Sequence, residues 1–354
     1  MKKIKFSKAI NEAMHYCMKK DKKVLCFGLG VTDPKRIFGS TEGLLEKFGK
    51  NRVFDVPTSE NAITGIGIGL SLNKFKPVMV HQRLDFFLLA MDQLVNSAAK
   101  YYYMFGKRIS VPITIRLIIG RGWGQGPTHS QCLHSWFAHI PGLKVVMPAN
   151  ANDAKNLLIS SINDPNPVVF IEHRWLYDNE TKYENKISKL GRAEVVKKGK
   201  DVTIVAMSIL VLEAIQASKI LKKYFNISTE VINLKTIAPL DWNLLFRSVK
   251  KTKNLIVADL GFSNNSFANE VIYRCENKVK FKNKSIKIAM PDYSVPTSIS
   301  LTEDFYPNSI TIIKKILKMF NIKFEEKFLK KFKEELSLDK NHHDVPGSWF
   351  KGPF

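Results

Sequence analysis

The sequence alternates between short apolar runs and segments with helical spacing of apolar residues, and this alternation constrains the fold most. Runs such as VLCFGLGV at 24–31 and PVVFIE at 167–172 are apolar throughout, as expected for strands that are covered on both faces. Between such runs, segments such as 9–20 repeat apolar side chains every three or four residues. The pattern predicts an α/β fold of mainly parallel sheets with helices on both faces.

The alternation occurs in two series, separated by a polar, lysine-rich stretch at 177–200. We expect two domains, at 1–176 and 201–322, with 177–200 as the linker and 323–354 as a charged helix followed by an extended C-terminal arm. In the first series we expect strands at 24–31, 77–83, 112–119, 143–148 and 167–172, and helices at 9–20, 60–72, 87–104, 131–140 and 150–162. In the second series we expect strands at 201–207, 229–234, 254–260 and 286–290, and helices at 210–225, from near Asp241, at 267–277 and at 308–320.

Composition limits the classes of partner. The net charge is +23, which suits an acidic partner or nucleic acid. The basic residues are scattered without an arginine-aromatic cluster, however, so a lysine-rich composition explains the charge and no specific nucleic-acid partner is predicted. No run approaches the ~20 apolar residues that span a bilayer, and the N-terminus lacks the apolar core of a secretory signal. The four cysteines are far apart, which fits a reducing compartment and predicts a cytoplasmic protein without a membrane partner.

Glu60 follows VPTS and opens the predicted helix at 60–72, which contains Gly65, Gly67 and Gly69. A carboxylate in the first turn commonly caps a helix together with a neighbouring Ser59 or Thr58. Each glycine costs a helix roughly 1 kcal/mol relative to alanine, so close helix packing, a ligand or a second subunit must compensate. Each of these alternatives places Glu60 at an interface, and a capping role and a ligand-binding role both stay open.

The segment GRGWGQGPTHSQ at 120–131 follows a predicted strand. It therefore lies at the carboxyl end of a parallel strand, where open α/β sheets bind ligands. It is neither a dinucleotide fingerprint nor a phosphate-binding P-loop. His129 is either a cap of the following helix or an active-site residue. His134 and His139 are more typical of packing or surface positions, and their spacing does not suit a metal site.

A second polar segment, His81 to Phe86, ends another predicted strand at the same edge. Polar side chains at a strand end are costly to bury unless they are paired. The segment is either a surface loop or a polar wall of the same pocket, with Phe86 as an apolar platform.

Several long stretches resemble the beta subunits of 2-oxo-acid dehydrogenase E1 components, which include the pyruvate and branched-chain enzymes of the thiamine-diphosphate, transketolase-like superfamily. The stretches are DVPTSENAITGIGIG, QRLDFFLLAMDQLVNSAAKYYYMFG, PTHSQ and HIPGLKVVMPANANDAKNLLISSINDPNPVVFIE. STEVINLKTIAPLDWNLLFRSVKKTKNLIVADLG is similar to the family's C-terminal domain. The resemblance runs over residues 4–320.

The resemblance implies that the first domain is a pyrimidine-binding domain, which binds the aminopyrimidine end of thiamine diphosphate. A separate alpha subunit carrying GDG followed by Asn would hold the diphosphate and Mg²⁺. This chain contains no GDG, which agrees with a beta chain. An α2β2 heterotetramer is implied, with the cofactor at the α–β interface and a lipoyl E2 as a further partner.

The resemblance also implies residue roles. Glu60 matches the cofactor glutamate, whose hydrogen bond to a pyrimidine ring nitrogen favours the imino tautomer that removes the thiazolium C2 proton. Phe86 matches an aromatic residue beside the pyrimidine, and we count Thr58 with the cofactor-binding residues. His129 matches a histidine that orients the 2-oxo acid or moves protons. A structural K⁺ bound mostly by backbone carbonyls would have its ligands at Ile113, Ser161, Ile162, Asp164 and Asn166.

Two features depart from the family. Arg83 and His81 stand where common members have apolar or small residues, and the C-terminal tail at 323–354 is longer than that of the usual beta chain. A guanidinium suits a carboxylate or phosphate, so Arg83 is a candidate substrate residue. Two enzyme functions therefore stay open. One is a dehydrogenase E1 that acylates lipoyl E2, and the other is a two-subunit transferase that passes the C2 carbanion to a sugar or other carbonyl acceptor. A nucleic-acid-binding protein on a recycled fold is opposed by the presence of Glu60 and of the HSQ motif.

Overall fold

The computed structural model describes residues 3–122, 124–184 and 188–336. The first half contains β1 (Lys3–Lys5), α1 (Phe6–Lys20), β2 (Val24–Gly28), α2 (Leu44–Phe48), β3 (Val53–Asp55), α3 (Glu60–Leu72), β4 (Lys76–His81), α4 (Leu84–Phe87), α5 (Ala99–Met104), β5 (Thr114–Ile119), α6 (His134–His139), β6 (Lys144–Val146), α7 (Ala151–Ile162), β7 (Val168–His173) and β8 (Glu180–Lys182). The second half contains β9 (Glu194–Lys197), β10 (Val202–Ala206), α8 (Ile209–Phe225), β11 (Thr229–Asn233), β12 (Thr236–Ala238), α9 (Trp242–Thr252), β13 (Leu255–Phe262), α10 (Phe267–Glu276), β14 (Ile286–Met290), α11 (Ser309–Met319) and α12 (Lys327–Glu335).

Two mainly parallel sheets form the centre of the molecule. The larger sheet has the order β12-β6-β7-β5-β4-β2-β3, and the smaller has the order β14-β13-β10-β11-β9. Only β12 and β9, each at a sheet edge, pair antiparallel within these two sheets. Every residue of the central strands β5 and β7 is buried, as continuous apolar strands between helix layers require. The predicted α/β fold class is confirmed.

Side-chain caps explain where several helices begin. Asn150 accepts a hydrogen bond from the Asp153 N–H at 2.9 Å, and Asp241 accepts one from the Leu244 N–H at 3.1 Å. Such caps satisfy backbone donors that have no partner within the helix. These two residues lie directly before α7 and α9, where the sequence predicts helix starts.

Helix α3 has the bounds that the sequence predicts, and its glycines separate into two groups. A Cβ at Gly67 would lie 2.9 Å from Ile113 Cδ1 and 2.9 Å from Met79 Sδ, so the helix packs closely against the sheet at this point. A Cβ at Gly69, by contrast, would meet nothing within 4 Å. Close packing therefore explains one side of the helix, while the side with Gly69 and Ile66 (56% exposed) is open.

Two predicted helices differ from the structure. The helix expected at 87–104 begins at Leu84 and contains a 3-10 turn at Leu88–Ala90 and π-helical turns at Gln93–Ala98. Leu94 and Ala98, four residues apart, are the buried residues of these π-helical turns. The helix expected at 131–140 is shorter and spans His134–His139, while the Gln131 N–H, in the loop before it, is donated to the Asp85 carboxylate at 3.4 Å.

The lysine-rich stretch 177–200 carries more structure than its composition indicates. Tyr177 is buried, β8 pairs with β1, and β9 forms an edge of the smaller sheet. Charged residues are common on edge strands because they discourage pairing with other chains. Strand β12 of the second half joins β6 at the edge of the larger sheet. The domain boundaries given above stay a prediction.

The other global expectations concern the tail, membranes and cysteines. Helix α12 corresponds to the charged helix that begins the predicted tail, whereas the extended arm lies outside the described residues, which end at 336. In the described parts of the chain, no helix combines the length and the apolar character needed to cross a bilayer. The four cysteines are buried free thiols.

Candidate active site

Glu60 is the first residue of α3 and is only 7% exposed. The preceding Ser59 makes no side-chain cap, and Thr58 is exposed. Thr64 donates its hydroxyl to the Glu60 backbone carbonyl at 2.8 Å, but no residue in the described ranges donates a hydrogen bond to the Glu60 carboxylate. A buried carboxylate without a donor is costly. The structure therefore gives no support to a capping role and leaves the Glu60 carboxylate without a side-chain or backbone donor in the described ranges.

Phe86 and His129 come from adjacent strands of the larger sheet. Strand β4 is followed by α4, which carries Phe86, and strand β5 is followed by the loop that carries His129. Their ring centroids lie 5.4 Å apart, with the planes at 89°. Phe86 is 39% exposed, so part of its ring remains available to a ligand. The structure thus brings two of the predicted site residues together at the carboxyl edge of the sheet.

Hydrogen bonds from Gln131 to Asp85 join the loop that carries His129 to α4. The Gln131 side-chain amide donates to Asp85 Oδ1 at 2.9 Å, alongside its backbone N–H. Burial raises the pKa of the Asp85 carboxyl, against the lowering effect of these hydrogen bonds. His129 lies in the loop before α6, so it is not a cap of that helix. Its Nδ1 is 3.0 Å from the Thr128 hydroxyl, so Nε2 is the atom directed to other partners.

Arg83 and His81 differ in their surroundings. Strand β4 ends at His81, and Arg83 occupies the position before α4. Arg83 is 6% exposed, and burial lowers its pKa to about 10, with Asp85 opposing and Arg174 adding to the effect. The His81 ring packs on Phe87 at 4.9 Å, and burial lowers its pKa to about 4. His81 is therefore a neutral core side chain at neutral pH and not a polar wall.

Four of the predicted K⁺ ligands lie at the end of α7 and in the loop before β7, and the fifth, Ile113, directly precedes β5. The Ile113 carbonyl accepts the Val168 N–H at 3.0 Å, and the Ser161 carbonyl accepts the Asp164 N–H at 3.1 Å. The Asn166 N–H is donated to the Asp164 carboxylate at 3.0 Å. In the described ranges, no three His, Cys, Asp or Glu side chains group as metal ligands. K⁺ at Ile113, Ser161, Ile162, Asp164 and Asn166 stays a prediction.

Sequence reasoning missed a buried ion pair beneath the site. Arg116 donates to Glu172 through Nε at 2.5 Å and Nη2 at 2.9 Å, and both side chains are fully buried. The Tyr177 hydroxyl donates to the same carboxylate at 2.5 Å. Arg116 is opposite Phe170 in the β5–β7 pairing, two residues from Glu172. The signal was one charged residue in each of two apolar strands, at positions that the strand register brings together.

A second missed pair joins the two halves of the chain. His134 Nε2 on α6 lies 2.9 Å from Asp259 Oδ1 on β13, and both side chains are 0% exposed. Asp259, with Cys132, outweighs the effect of burial and raises the pKa of His134 to about 10. The sequence placed His134 among packing or surface residues, and nothing in its local pattern indicates the partner.

The donor set fits one end of an aminopyrimidine cofactor. Such a ring needs a carboxyl partner for a ring nitrogen and an apolar surface for its face. Glu60 provides a buried carboxylate without a donor in the described ranges, and Phe86 provides a partly exposed ring. The fit concerns the pyrimidine end of the cofactor, to which these two side chains are suited.

Comparison with known proteins assigns the class. The family model of the transketolase pyrimidine-binding domain matches residues 2–179, and that of the transketolase C-terminal domain matches residues 191–312. A solved structure described as a split-gene transketolase, inactive beta4 tetramer, has a TM-score of 0.75 and 19% sequence identity. The match covers 91% of this chain and 99% of the solved transketolase chain. Fold and site therefore define a transketolase-like protein.

Curated relatives identify the family within this transketolase-like class. The chain is 36% identical over 321 residues to "Pyruvate dehydrogenase E1 component subunit beta-1, mitochondrial" of Oryza sativa subsp. japonica, covering 88% of this chain and 86% of the relative. It is 34% identical over 310 residues to "Pyruvate dehydrogenase E1 component subunit beta" of Rhizobium meliloti (strain 1021), covering 86% of this chain and 67% of the relative. The chain belongs to the family of pyruvate dehydrogenase E1 beta subunits, which confirms the resemblance in the sequence.

Proposed function

We propose that this chain is the beta subunit of a thiamine-diphosphate-dependent 2-oxo-acid dehydrogenase E1. The assembled enzyme decarboxylates a 2-oxo acid and transfers the acyl group to a lipoyl E2. The observation that carries the proposal is the buried Glu60 carboxylate at the start of α3, which has no donor in the described ranges. The names of the curated relatives favour this function over transfer to a sugar or other carbonyl acceptor.

Glu60 has a defined part in this chemistry. Bound thiamine diphosphate supplies an electron-accepting thiazolium ring, which makes decarboxylation of a 2-oxo acid feasible. The Glu60 carboxyl would share a proton with a pyrimidine ring nitrogen and so favour the imino tautomer of the exocyclic amine. Because the base is held in place, proton removal then needs no encounter between separate molecules.

The neighbouring residues position the ligands. Phe86 would offer its exposed ring face to the pyrimidine, and the exposed Thr58 precedes Glu60 on the same side of the sheet edge. His129 would present Nε2 to the substrate, orienting the 2-oxo acid or moving a proton. Arg83, a buried cation before α4, would attract the carboxylate of the substrate or acceptor.

The cofactor site needs a second subunit. An alpha-type subunit would supply the diphosphate and Mg²⁺ site and form an α2β2 heterotetramer with the cofactor between the chains. The open side of α3 supports this, because Ile66, Leu72 and the nearby Leu89 are 56%, 43% and 68% exposed. Apolar side chains at such exposure are typical of protein interfaces. K⁺ near α7 and a cytoplasmic location belong to the same proposal, although the rice relative is named as mitochondrial.

Co-expression with an E1 alpha-type chain tests the function. The purified chain, the alpha chain and the complex are each assayed with thiamine diphosphate, Mg²⁺, pyruvate or branched-chain 2-oxo acids, and either a lipoyl domain or sugar acceptors. We expect turnover only in the complex, with the lipoyl domain as acceptor. Robust turnover by this chain alone, or transfer to sugars with no lipoyl acylation, contradicts the proposal.

A further inference from the structure

The His134–Asp259 pair is one of the places where the two halves of the chain meet through buried charges. His134 opens α6 in the first half, and Asp259 lies in β13 in the second half. The 2.9 Å separation between Nε2 and Oδ1, with both side chains at 0% exposure, makes this a close ion pair. The function proposed above does not use either residue.

Asp259 is held rigidly by its own half. Its carboxylate accepts the Gly261 N–H at 2.8 Å, the Ser266 hydroxyl at 2.5 Å and the Ala268 N–H at 3.2 Å. It is therefore a preorganised anchor, and it keeps three donors if His134 is replaced. This matters because a buried charge that loses all its partners would unfold the protein.

His134 ends the loop that carries His129. On its other ring nitrogen, Nδ1 is 3.3 Å from Cys132 Sγ, and the Cys132 carbonyl would lie 3.6 Å from a Cβ at Gly261. A Cβ at Gly261 would also lie 3.2 Å from His134 Cε1. The absence of a side chain at Gly261 thus lets the second half approach the end of the loop closely.

The middle of the loop also approaches the second half, because a Cβ at Gly126 would clash with Thr297 Oγ1. The loop therefore lies between α4, which binds it through Asp85 and Gln131, and the second half, which approaches it at Thr297 and pairs with His134 through Asp259.

We propose that His134 is a positioning residue, and that its ion pair with Asp259 fixes the loop 124–133 so that His129 stays against Phe86. The second half of the chain thereby controls the geometry of a site that the first half builds. The effect on catalysis rests on the proposed function, whereas the effect on the loop does not.

Hydrogen exchange measured by mass spectrometry tests the effect on the loop in the full chain, without cofactor or alpha subunit. The variants are His134→Leu, which removes the cation and its polar group, and His134→Gln, which removes the charge but keeps a polar side chain beside Asp259. Gly261→Ala places a Cβ against both members of the ion pair without removing a charge. Lys235→Met is the matched control, because Lys235 pairs with Asp153 at 3.1 Å in another contact between the halves, at 9% and 3% exposure.

We expect His134→Leu and Gly261→Ala to raise the exchange rate of peptides covering 128–133 at least tenfold, with the central strands unchanged. His134→Gln should restore part of the protection, and Lys235→Met should leave the loop as in the wild type. Unchanged loop exchange in both His134→Leu and Gly261→Ala overturns the proposal. Equal loop exposure in Lys235→Met also overturns it, because the halves would then loosen in general. If His134→Leu does not fold, Gly261→Ala and His134→Gln decide the outcome.

Steady-state kinetics of the complex with the alpha subunit give the second readout. A misplaced His129 should lower kcat at least fivefold in Gly261→Ala and His134→Leu, with KM within twofold, because the loss falls on the reacting state. A merely structural role predicts less active protein but the same kcat per folded site. If the wild-type complex does not act on any 2-oxo acid, the proposed function is wrong. The hydrogen-exchange result then still tests whether His134 fixes the loop.

Discussion

The rings of Phe86 and His129 stand at 89° to each other, with 5.4 Å between their centroids. This edge-to-face contact joins the segments that follow β4 and β5, which are neighbours in the larger sheet. Aromatic pairs in this geometry hold their relative orientation better than area burial alone would achieve. The residue proposed for the cofactor side and the residue proposed for the substrate side are therefore in contact without any ligand.

Glu60→Gln is expected to abolish activity and leave the fold intact. Glutamine keeps the size of the side chain but cannot share a proton with a ring nitrogen, so exchange of the thiazolium C2 proton in the complex should slow at least about a hundredfold. Proton exchange is followed by NMR, and stability by urea unfolding. Glu270→Gln, an exposed first-turn carboxylate on α10, is the control. A loss of about 1 kcal/mol of stability with C2 exchange slowed less than tenfold would instead identify Glu60 as a cap.

Arg83→Met should raise KM for the anionic substrate. The guanidinium remains charged at neutral pH, and burial makes a nearby anion favourable. Loss of one charge-assisted contact corresponds to about 1.5–3 kcal/mol, or about tenfold or more in KM. C2 proton exchange, which needs only the cofactor and Glu60, should change little. A collapse of folding stability with KM unchanged in the surviving enzyme would assign Arg83 to an internal ion pair.

The stability of the chain should fall as the pH rises from about 6.5 to about 10. The pKa of His134 is raised to about 10 in the folded state by Asp259. In this range the folded protein keeps a proton that the unfolded chain has lost, so deprotonation favours unfolding. The expected loss is about 1.4 kcal/mol per pH unit, on the order of 5 kcal/mol over the whole range. Urea unfolding at several pH values measures it, and His134→Leu should lack this part of the decline. An equal decline in both proteins would contradict the assignment.

Binding to DNA should be weak and independent of sequence. The charge of +23 comes from scattered lysines and arginines, which contact phosphates without reading bases. The affinity should then fall about a thousandfold between 50 and 200 mM salt. Fluorescence anisotropy with two unrelated duplexes measures both properties. A specific complex that persists at high salt would revive the nucleic-acid interpretation.

Local sequence pattern predicted the elements whose determinants are local. The bounds of α3 and β14 agree with the sequence, and Asn150 and Asp241 mark helix starts through their own side chains. The same holds for the placement of Phe86 and His129 at strand ends, because strand order in a parallel sheet fixes which ends are neighbours.

The remaining features depend on residues far apart in the sequence. Gln131 lies in a loop joined to Asp85 by hydrogen bonds, and the pKa of His134 is raised because of Asp259. Periodicity contains no information on either contact. The π-helical turns at Gln93–Ala98 likewise reflect packing against α3, which no pattern of a single helix specifies.

Strand β12 belongs to the second half in the sequence but to the larger sheet of the first half by its hydrogen bonds. Thr236 and Ala238 pair with Val146 and Val145, and the Met147 N–H is donated to the Lys235 carbonyl at 2.8 Å. A fragment cut after the first family match would leave β6 as an open edge, ready to recruit another molecule. Any exchange of the second module must therefore bring a compatible strand, or the first sheet is left unfinished.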